Sequence, residues 1–428
     1  MWREMAESAL GTELSGDHGW VERGSEGRLE SILRGEEDSR QANFLELFFD
    51  LVLVFALIAV THRVVVDLSS QSATLRWLAL LHGLVLALPM LWLWTTTAEI
   101  TSRFDPRHRW IQLMILVSAF GLHFMSTSVP DMFGGRGAGF AVPYVLLQVG
   151  RPLLLVPQLR GNKAVQASYA RRSVWSAVSA VFWIGGVLVR GEYRVAVWLV
   201  GIAVDLLGAR LGWPVPGMRK SAGRAWVVAG SSNLPDRYQQ LLFLAVGETV
   251  LAAGLVYAVQ PVTLAATAGL VVAFLSTVLL WRIYFYRAGK VFADAISMST
   301  DSAAVARVGG AAHVLLVLGV VGMAAGSEIV QKHPGGHTQP AWLAVILGGP
   351  ALYLIGRLRL EHVVYNRISP RRLVGIGLLL LLALPLAFSS PLVAATAATA
   401  VLFGIAVADA RQAAGRPLEA PTPPHKSN

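Results

Sequence analysis

Apolar residues fill long blocks of this chain, and short polar stretches separate them. A helix that crosses a bilayer takes about 20 predominantly apolar residues. Twelve blocks fit: 43–66, 76–98, 110–128, 139–159, 173–190, 194–212, 237–258, 262–286, 306–327, 341–358, 371–389 and 391–409. Two breaks are narrow. Arg190-Gly191-Glu192-Tyr193-Arg194 divides the apolar stretch 173–212, and Ser389-Ser390-Pro391 divides 371–409. The pattern predicts an all-α, polytopic membrane protein of about twelve transmembrane helices. Residues 41–212 form a first six-helix half, 213–236 a cytoplasmic connection and 237–410 a second six-helix half. Residues 1–40 and the Pro-rich 411–428 read as disordered cytoplasmic tails, with a short amphipathic piece near Leu29–Leu33.

Charge orients these blocks. With the ends of the flanking blocks included, connections after even-numbered blocks carry 20 Lys and Arg and those after odd-numbered blocks carry 6. Basic connections stay on the cytoplasmic side, so both termini are expected in the cytoplasm of a bacterial plasma-membrane protein. Trp92, Trp94, Trp110, Trp281, Tyr284 and Tyr286 fall near the block ends where interfacial aromatics belong. The first 40 residues are polar, and no cleavable signal is expected ahead of the first block.

Composition agrees. Of 428 residues, 54% are apolar and 14% are charged, against about 25% charged in a soluble domain. The net charge of +10 lies between apolar blocks, which argues for membrane orientation rather than nucleic acid. The absence of cysteine excludes disulfides, thiolate metal sites, iron–sulfur clusters and Cys nucleophiles. No P-loop, G-x-S-x-G, H-E-x-x-H or dinucleotide fingerprint occurs. Neither an enzyme nor a bound cofactor is expected. His62, His82, His123 and His313 are scattered and read as helix-linking or water-bonded rather than as haem ligands. Gly134-Gly135-Arg136-Gly137 is a short outer turn. Gly322 and Gly326 lie one above the other on a helix, which suits close helix packing, as do Gly309-Gly310 and Gly348-Gly349.

Block 7 opens with Asn233-Leu234-Pro235-Asp236-Arg237-Tyr238 and block 1 with Asn43-Phe44-Leu45-Glu46-Leu47-Phe48, 190 residues earlier. Asn meets Asn, acid meets acid and aromatic meets aromatic. This predicts a parallel repeat of six helices plus six, a plan found among transporters. The plainer alternative is two similar helix starts, since Asn and acids favour any helix N-terminus.

Ionisable residues inside the blocks are the candidate chemistry, because burying a charge in hydrocarbon is costly. Glu46 and Asp50 are four apart and share one helix face. Glu99 and Arg103 read as a helix pair at the inner surface. Arg151 sits in Gly150-Arg151-Pro152, between Pro143 and Pro157, too deep to reach the interface. A carboxylate partner is expected, Asp50 first and Asp205 second, serving either to lock helices or to form an anion or proton site. Asp236 and Arg237 begin block 7, and Glu248 lies about 18 Å further along that helix, near the midplane. Glu248 is read either as a neutral, hydrogen-bonded group or as a titrating site. His313 lies two turns into block 9. Asp409 and Arg357 read as interfacial.

These residues resemble the bacterial low temperature requirement protein A family. The likeness rests on Glu46-Leu47-Phe48-Phe49-Asp50-Leu51-Val52 with Val54-Phe55-Ala56, on Trp92 to Trp94 followed by Phe104-Asp105, and on Asn233-Leu234-Pro235-Asp236-Arg237-Tyr238 leading to Val246-Gly247-Glu248-Thr249. The third site departs from the family's usual His-Leu-x-Glu-Arg-Phe and Leu-Gly-Glu-Ser. Asn233, Asp236, Tyr238, Val246 and Thr249 replace His, Glu, Phe, Leu and Ser, and losing that His removes a titrating group. The resemblance spans about residues 40–410 and implies a polytopic plasma-membrane protein linked to growth in the cold, with no settled biochemical activity. The expected function is secondary transport of a small solute or ion coupled to protons. In that scheme Glu46, Asp50 and Arg151 form an inner gate and Glu248 is the titrating carboxyl. An ion channel, and a non-transporting sensor or lipid-handling protein, are the alternatives. Expected partners are the lipid bilayer and the small solute.

Overall fold

The computed structural model describes residues 44–159, 162–218, 233–286, 291–415 and 419–423. Thirteen α-helices and no strand occur among the described residues. They are α1 (Phe44–Leu68), α2 (Ala73–Thr101), α3 (Arg109–Ser128), α4 (Gly137–Leu155), α5 (Lys163–Val187), α6 (Glu192–Leu211) and α7 (Leu234–Ala258). Then come α8 (Leu264–Phe285), α9 (Val291–Met298), α10 (Ser302–Lys332), α11 (Pro340–Tyr365), α12 (Pro370–Leu386) and α13 (Pro391–Ala413). Each apolar block falls on one of the twelve long helices. The eight-residue α9 is an addition, too short to leave a signature in the apolar pattern.

Among the described residues, nine helices are long and apolar enough to cross a membrane: α1 to α4, α7, α8, α10, α11 and α13. The other three fall short for visible reasons. Arg171, Arg172 and several serines dilute α5. Four charged residues, Glu192, Arg194, Asp205 and Arg210, punctuate α6. Helix α12 is nearly all aliphatic, but has only 17 residues.

Local signals place the boundaries. Asn162, Thr263, Asp301 and Ser390 each accept a hydrogen bond from the backbone N–H three residues on, capping α5, α8, α10 and α13. Proline opens α11, α12 and α13, where its missing N–H costs nothing. Both narrow breaks are present. Gly191, at φ +61° and ψ −139°, turns the chain between α5 and α6 in a region that side chains strain to enter.

In the first half α1 packs on α2 and α3, α3 on α4, α4 on α5, and α5 on α6, which returns to α2. In the second half α7 packs on α8 and α10, α10 on α11, α11 on α12, and α12 on α13, which returns to α8. The halves meet where α1 lies against α7 and α10 and where α2 touches α11.

The α10–α11 contact is the most intimate. A Cβ on Gly319 would stand 2.6 Å from the Tyr353 backbone nitrogen, and one on Gly349 would stand 2.7 Å from that of Met323. The close packing expected at Gly322 and Gly326 is found: a Cβ at either would come within 3.0 Å or 3.3 Å of the α11 backbone, at Gly349 or Ile346.

Two boundaries differ from expectation. Helix α7 begins at Leu234, inside the expected connection 213–236, and α13 runs to Ala413, into the expected tail. The tail also returns to the bundle. Thr422 donates its backbone N–H to the Val364 carbonyl at 2.9 Å, and Glu419 pairs with Arg367 at 2.7 Å. Residues 1–40, including the piece near Leu29–Leu33, lie outside the described residues, as do 219–232 of the connection and 416–418 and 424–428 of the tail.

Candidate functional site

Helices α1, α2 and α7 bring together a charged cluster. One turn of α1 separates Glu46 from Asp50, and both carboxyls point at α7. Arg237 Nη2 lies 2.6 Å from Asp50 Oδ1, and its Nε lies 4.0 Å from Glu46 Oε1. The Trp94 indole N–H donates to the same Asp50 oxygen at 2.7 Å. The guanidinium sits over the Trp94 ring at 5.9 Å, and Trp94 packs on Tyr238 at 5.2 Å. Glu46, Asp50, Trp94 and Arg237 are all buried. Two acids share one guanidinium, and Asp50 Oδ2 has no hydrogen bond among the described residues.

This corrects the expected Asp50–Arg151 pair and the inner gate built from Glu46, Asp50 and Arg151. Arg151 has no carboxylate partner within ion-pair distance among the described residues. Its Nε donates to the Leu147 carbonyl at 2.9 Å, Nη1 to the Leu93 carbonyl at 3.2 Å and to Thr97, and Nη2 to Thr96 at 2.8 Å and Gln148 at 3.2 Å. A guanidinium has five N–H donors, and neutral acceptors take all five. The reason lies on α2: Leu93, Thr96 and Thr97 face Arg151, whereas Trp94 turns the other way toward Asp50. Arg237 stands fully buried, deeper than an arginine at a helix start would suggest, because α7 begins three residues earlier and neighbouring helices cover that turn.

Asp205 is a separate site. It accepts from the Tyr144 hydroxyl at 2.7 Å and the Ser179 hydroxyl at 2.9 Å. Glu99 pairs with Arg172 of α5 at 2.7 Å rather than with Arg103, one turn away on its own helix. His313 links helices, with Nε2 2.7 Å from the Tyr284 hydroxyl and Nδ1 2.7 Å from the Gly309 carbonyl, and its ring stacks on Tyr238 at 4.8 Å. Asp236 lies half-buried in the first turn of α7. No group of three or more His, Cys, Asp or Glu among the described residues could hold a metal ion.

Glu248 belongs to the α1–α7 seam. The Thr61 hydroxyl donates to its Oε1 at 2.5 Å, while its Oε2 is buried with no hydrogen bond among the described residues. Toward the same end of the bundle, Glu328 of α10 is paired with Lys332 at 2.7 Å and lies 3.6 Å from His62. The residues in the Thr61–Glu248 bond are 187 apart, and so are those in the Asp50–Arg237 pair. The two helices run parallel, and the second rung stands eleven residues, about 16 Å, beyond the first. Between the rungs the buried residues are apolar except for Tyr238 beside the first rung: Leu53, Val54, Ala56, Leu57 and Val60 on α1, and Leu241, Leu242, Ala245 and Val246 on α7. Asp50, Arg151 and Glu248 therefore occupy three separate contact sets.

Three arrangements escaped sequence reading. Arg194 lies in a narrow break, where it looks solvent-facing, yet it is buried and bonds the carbonyls of Met132, Gly134 and Gly186. Asp67 holds Arg63 at 2.8 Å and His82 at 3.0 Å. Arg372 is buried against Glu361 and Asp409. Only the i, i+4 spacing of Arg63 and Asp67 was a usable signal.

An uncharacterized protein of Rhizobium meliloti is 29% identical over 347 residues, covering 80% of this chain and 82% of that protein. No solved structure matches the chain. The family described as bacterial low temperature requirement A protein (LtrA) matches residues 41–407, which include every helix of both halves up to the last turns of α13, and the chain belongs to that family.

Proposed function

We propose that this multi-pass membrane protein is a secondary transporter of a small solute or ion, coupled to protons, and not an enzyme. All twelve long helices span the plasma membrane, with both termini in the cytoplasm, as the distribution of Lys and Arg directs. The chain is a parallel repeat, α1–α6 and α7–α13, with α9 as an insertion in the second copy. In support, α1 and α7 are each 25 residues long and start 190 residues apart, and the order of helix packing is the same in both halves. Repeats of this kind place the moving interface where the copies meet, here the α1–α7 seam.

The observation that carries the proposal is the Glu248 carboxyl, buried on that seam with one oxygen bonded to Thr61 and the other unbonded. A proton on Glu248 removes its charge and the cost of burying it. Releasing that proton requires water to reach the seam, and hence a different packing of α1 against α7. The Asp50–Arg237 pair closes the inner end. An open ion channel needs a continuous wetted path, and the apolar layer between the rungs offers none along this seam. The same layer favours a second reading, a non-transporting sensor of the bilayer, which would show no flux of any solute.

The test is a proteoliposome holding the full chain and an entrapped pH-reporting dye, challenged with inorganic cations, anions and amino acids. The expected result is proton movement triggered by one class of solute and abolished in Glu248→Gln. Unchanged pH-gradient dependence in Glu248→Gln would sink the role of Glu248, and no solute-triggered flux in the native chain would favour the sensor.

A further inference from the structure

The ends of α8, α11 and α13 and the start of α12 enclose a pocket of about 450 Å³. Among the described residues its walls carry five arginines, Arg282, Arg357, Arg367, Arg371 and Arg372, against three acids, Glu361, Asp409 and Glu419. The acids are taken. Arg372 holds Glu361 and Asp409, Arg371 also holds Asp409 at 3.2 Å, and Arg367 holds Glu419 at 2.7 Å. Two arginines remain without a carboxylate among the described residues. Arg357 is buried, and its one hydrogen bond runs from Nε to the Ile283 carbonyl at 3.3 Å, which leaves both terminal nitrogens to the pocket it lines. Arg282 lies over the Tyr286 ring at 4.1 Å.

We infer that this pocket binds a phosphate-bearing anion. Two guanidinium groups from different helices can each offer paired N–H donors to different oxygens of one phosphate, the geometry in which arginine binds that group best. Tyr286 and Tyr365 line the same space and can add hydroxyl donors. The volume falls in the range of small-molecule sites, about 300–1,000 Å³, and exceeds what a bare phosphate fills. Exposed Ile368, Leu373 and Val374 at the start of α12 supply apolar surface beside it. The phosphate has two sources, a phospholipid headgroup or a free phosphate. On the orientation proposed above the pocket faces the cytoplasmic leaflet, where basic pockets between helices meet anionic headgroups. The inference rests on that orientation and not on transport.

Glu419 is the resident competitor. The segment 419–423 places this carboxylate at the rim, tied to Arg367 and anchored through Thr422 to Val364. Neutralising it should strengthen binding of an added anion.

The experiment uses the purified full chain. One arm reconstitutes it in nanodiscs of phosphatidylcholine with a minor fraction of phosphatidylglycerol and counts retained lipid by native mass spectrometry. The other titrates inorganic phosphate into phosphatidylcholine nanodiscs by calorimetry. We expect binding in at least one arm, weakened about tenfold or more in Arg282→Gln, since a hydrogen bond to a charged group is worth about 1.5–3 kcal/mol. Binding should be unchanged in Arg76→Gln at the far end of the bundle and tighter in Glu419→Gln. Binding in the lipid arm alone assigns a headgroup, and binding in the phosphate arm alone assigns the free ion. No binding in either arm, or equal binding by Arg282→Gln and the native chain, overturns the inference. Arg282 is only partly buried, so its variant keeps the test open should Arg357→Gln fail to fold. Failure of the transport assay leaves these outcomes untouched, and failure here leaves the transport assay untouched.

Discussion

Two seams of this bundle are held in opposite ways. Between α10 and α11 there are no side chains at the closest points: Gly319, Gly322 and Gly326 admit the backbone of α11, and Gly349 and Gly356 admit that of α10. Between α1 and α7 the helices are joined by a buried ion pair, a buried carboxyl–hydroxyl bond and an apolar layer between them. In lipid, where the hydrophobic effect gives helices no preference for one another, both are workable solutions. They differ in what they tolerate. A backbone-on-backbone seam is specified by shape and has one arrangement. A polar seam is specified by partners, and partners can be exchanged or neutralised. The first suits a scaffold and the second a moving part.

The largest effect should come from Arg237→Leu, which leaves Asp50 buried without its cation. Removing one partner of a buried pair costs about 3–5 kcal/mol, so the melting temperature in detergent should fall sharply. Asp50→Asn combined with Arg237→Gln should cost less than the two single changes together. A native-like melt for Arg237→Leu would mean that charge does not hold this seam.

Next, Gly349→Ala puts a methyl 2.7 Å from the Met323 nitrogen, while the adjacent Gly348 has open space around it. Overpacking of this kind costs about 1–3 kcal/mol, whereas Gly348→Ala should match or slightly exceed the native stability through helix propensity. Equal melts for the two variants would remove the distinction between the seams. The smallest effect is Thr61→Val, which keeps shape and deletes the hydroxyl on Glu248. A loss of about 1 kcal/mol is expected, together with an altered response of any proton-coupled flux. A change in melt as large as that of Arg237→Leu would reverse the ranking of the two rungs.

The helices were legible because their apolar blocks are long and their boundaries carry caps, prolines and one glycine turn. Gly322 and Gly326 were legible for the same reason, since spacing along a helix is a local property. The partner of Asp50 was not. Arg237 follows a polar connection and reads as an interfacial cation, and its burial depends on neighbours that no local pattern records. Arg151 shows a related limit. A buried arginine predicts a carboxylate partner, but Thr96 and Thr97, two hydroxyls on one turn of α2, meet its donors without one. That run of threonines was visible in the sequence, although nothing in it pointed toward α4.

The equal spacing of the two rungs constrains motion on the seam. If α7 slid along α1 as a rigid rod by one turn, about 5.4 Å, Arg237 would leave Asp50 and Glu248 would leave Thr61 in the same displacement. Neither bond can be broken alone by translation; that takes a bend or a swivel about the surviving rung. One contact thus serves as pivot for the other, and the leaflet in which a bond is released decides toward which side the seam opens.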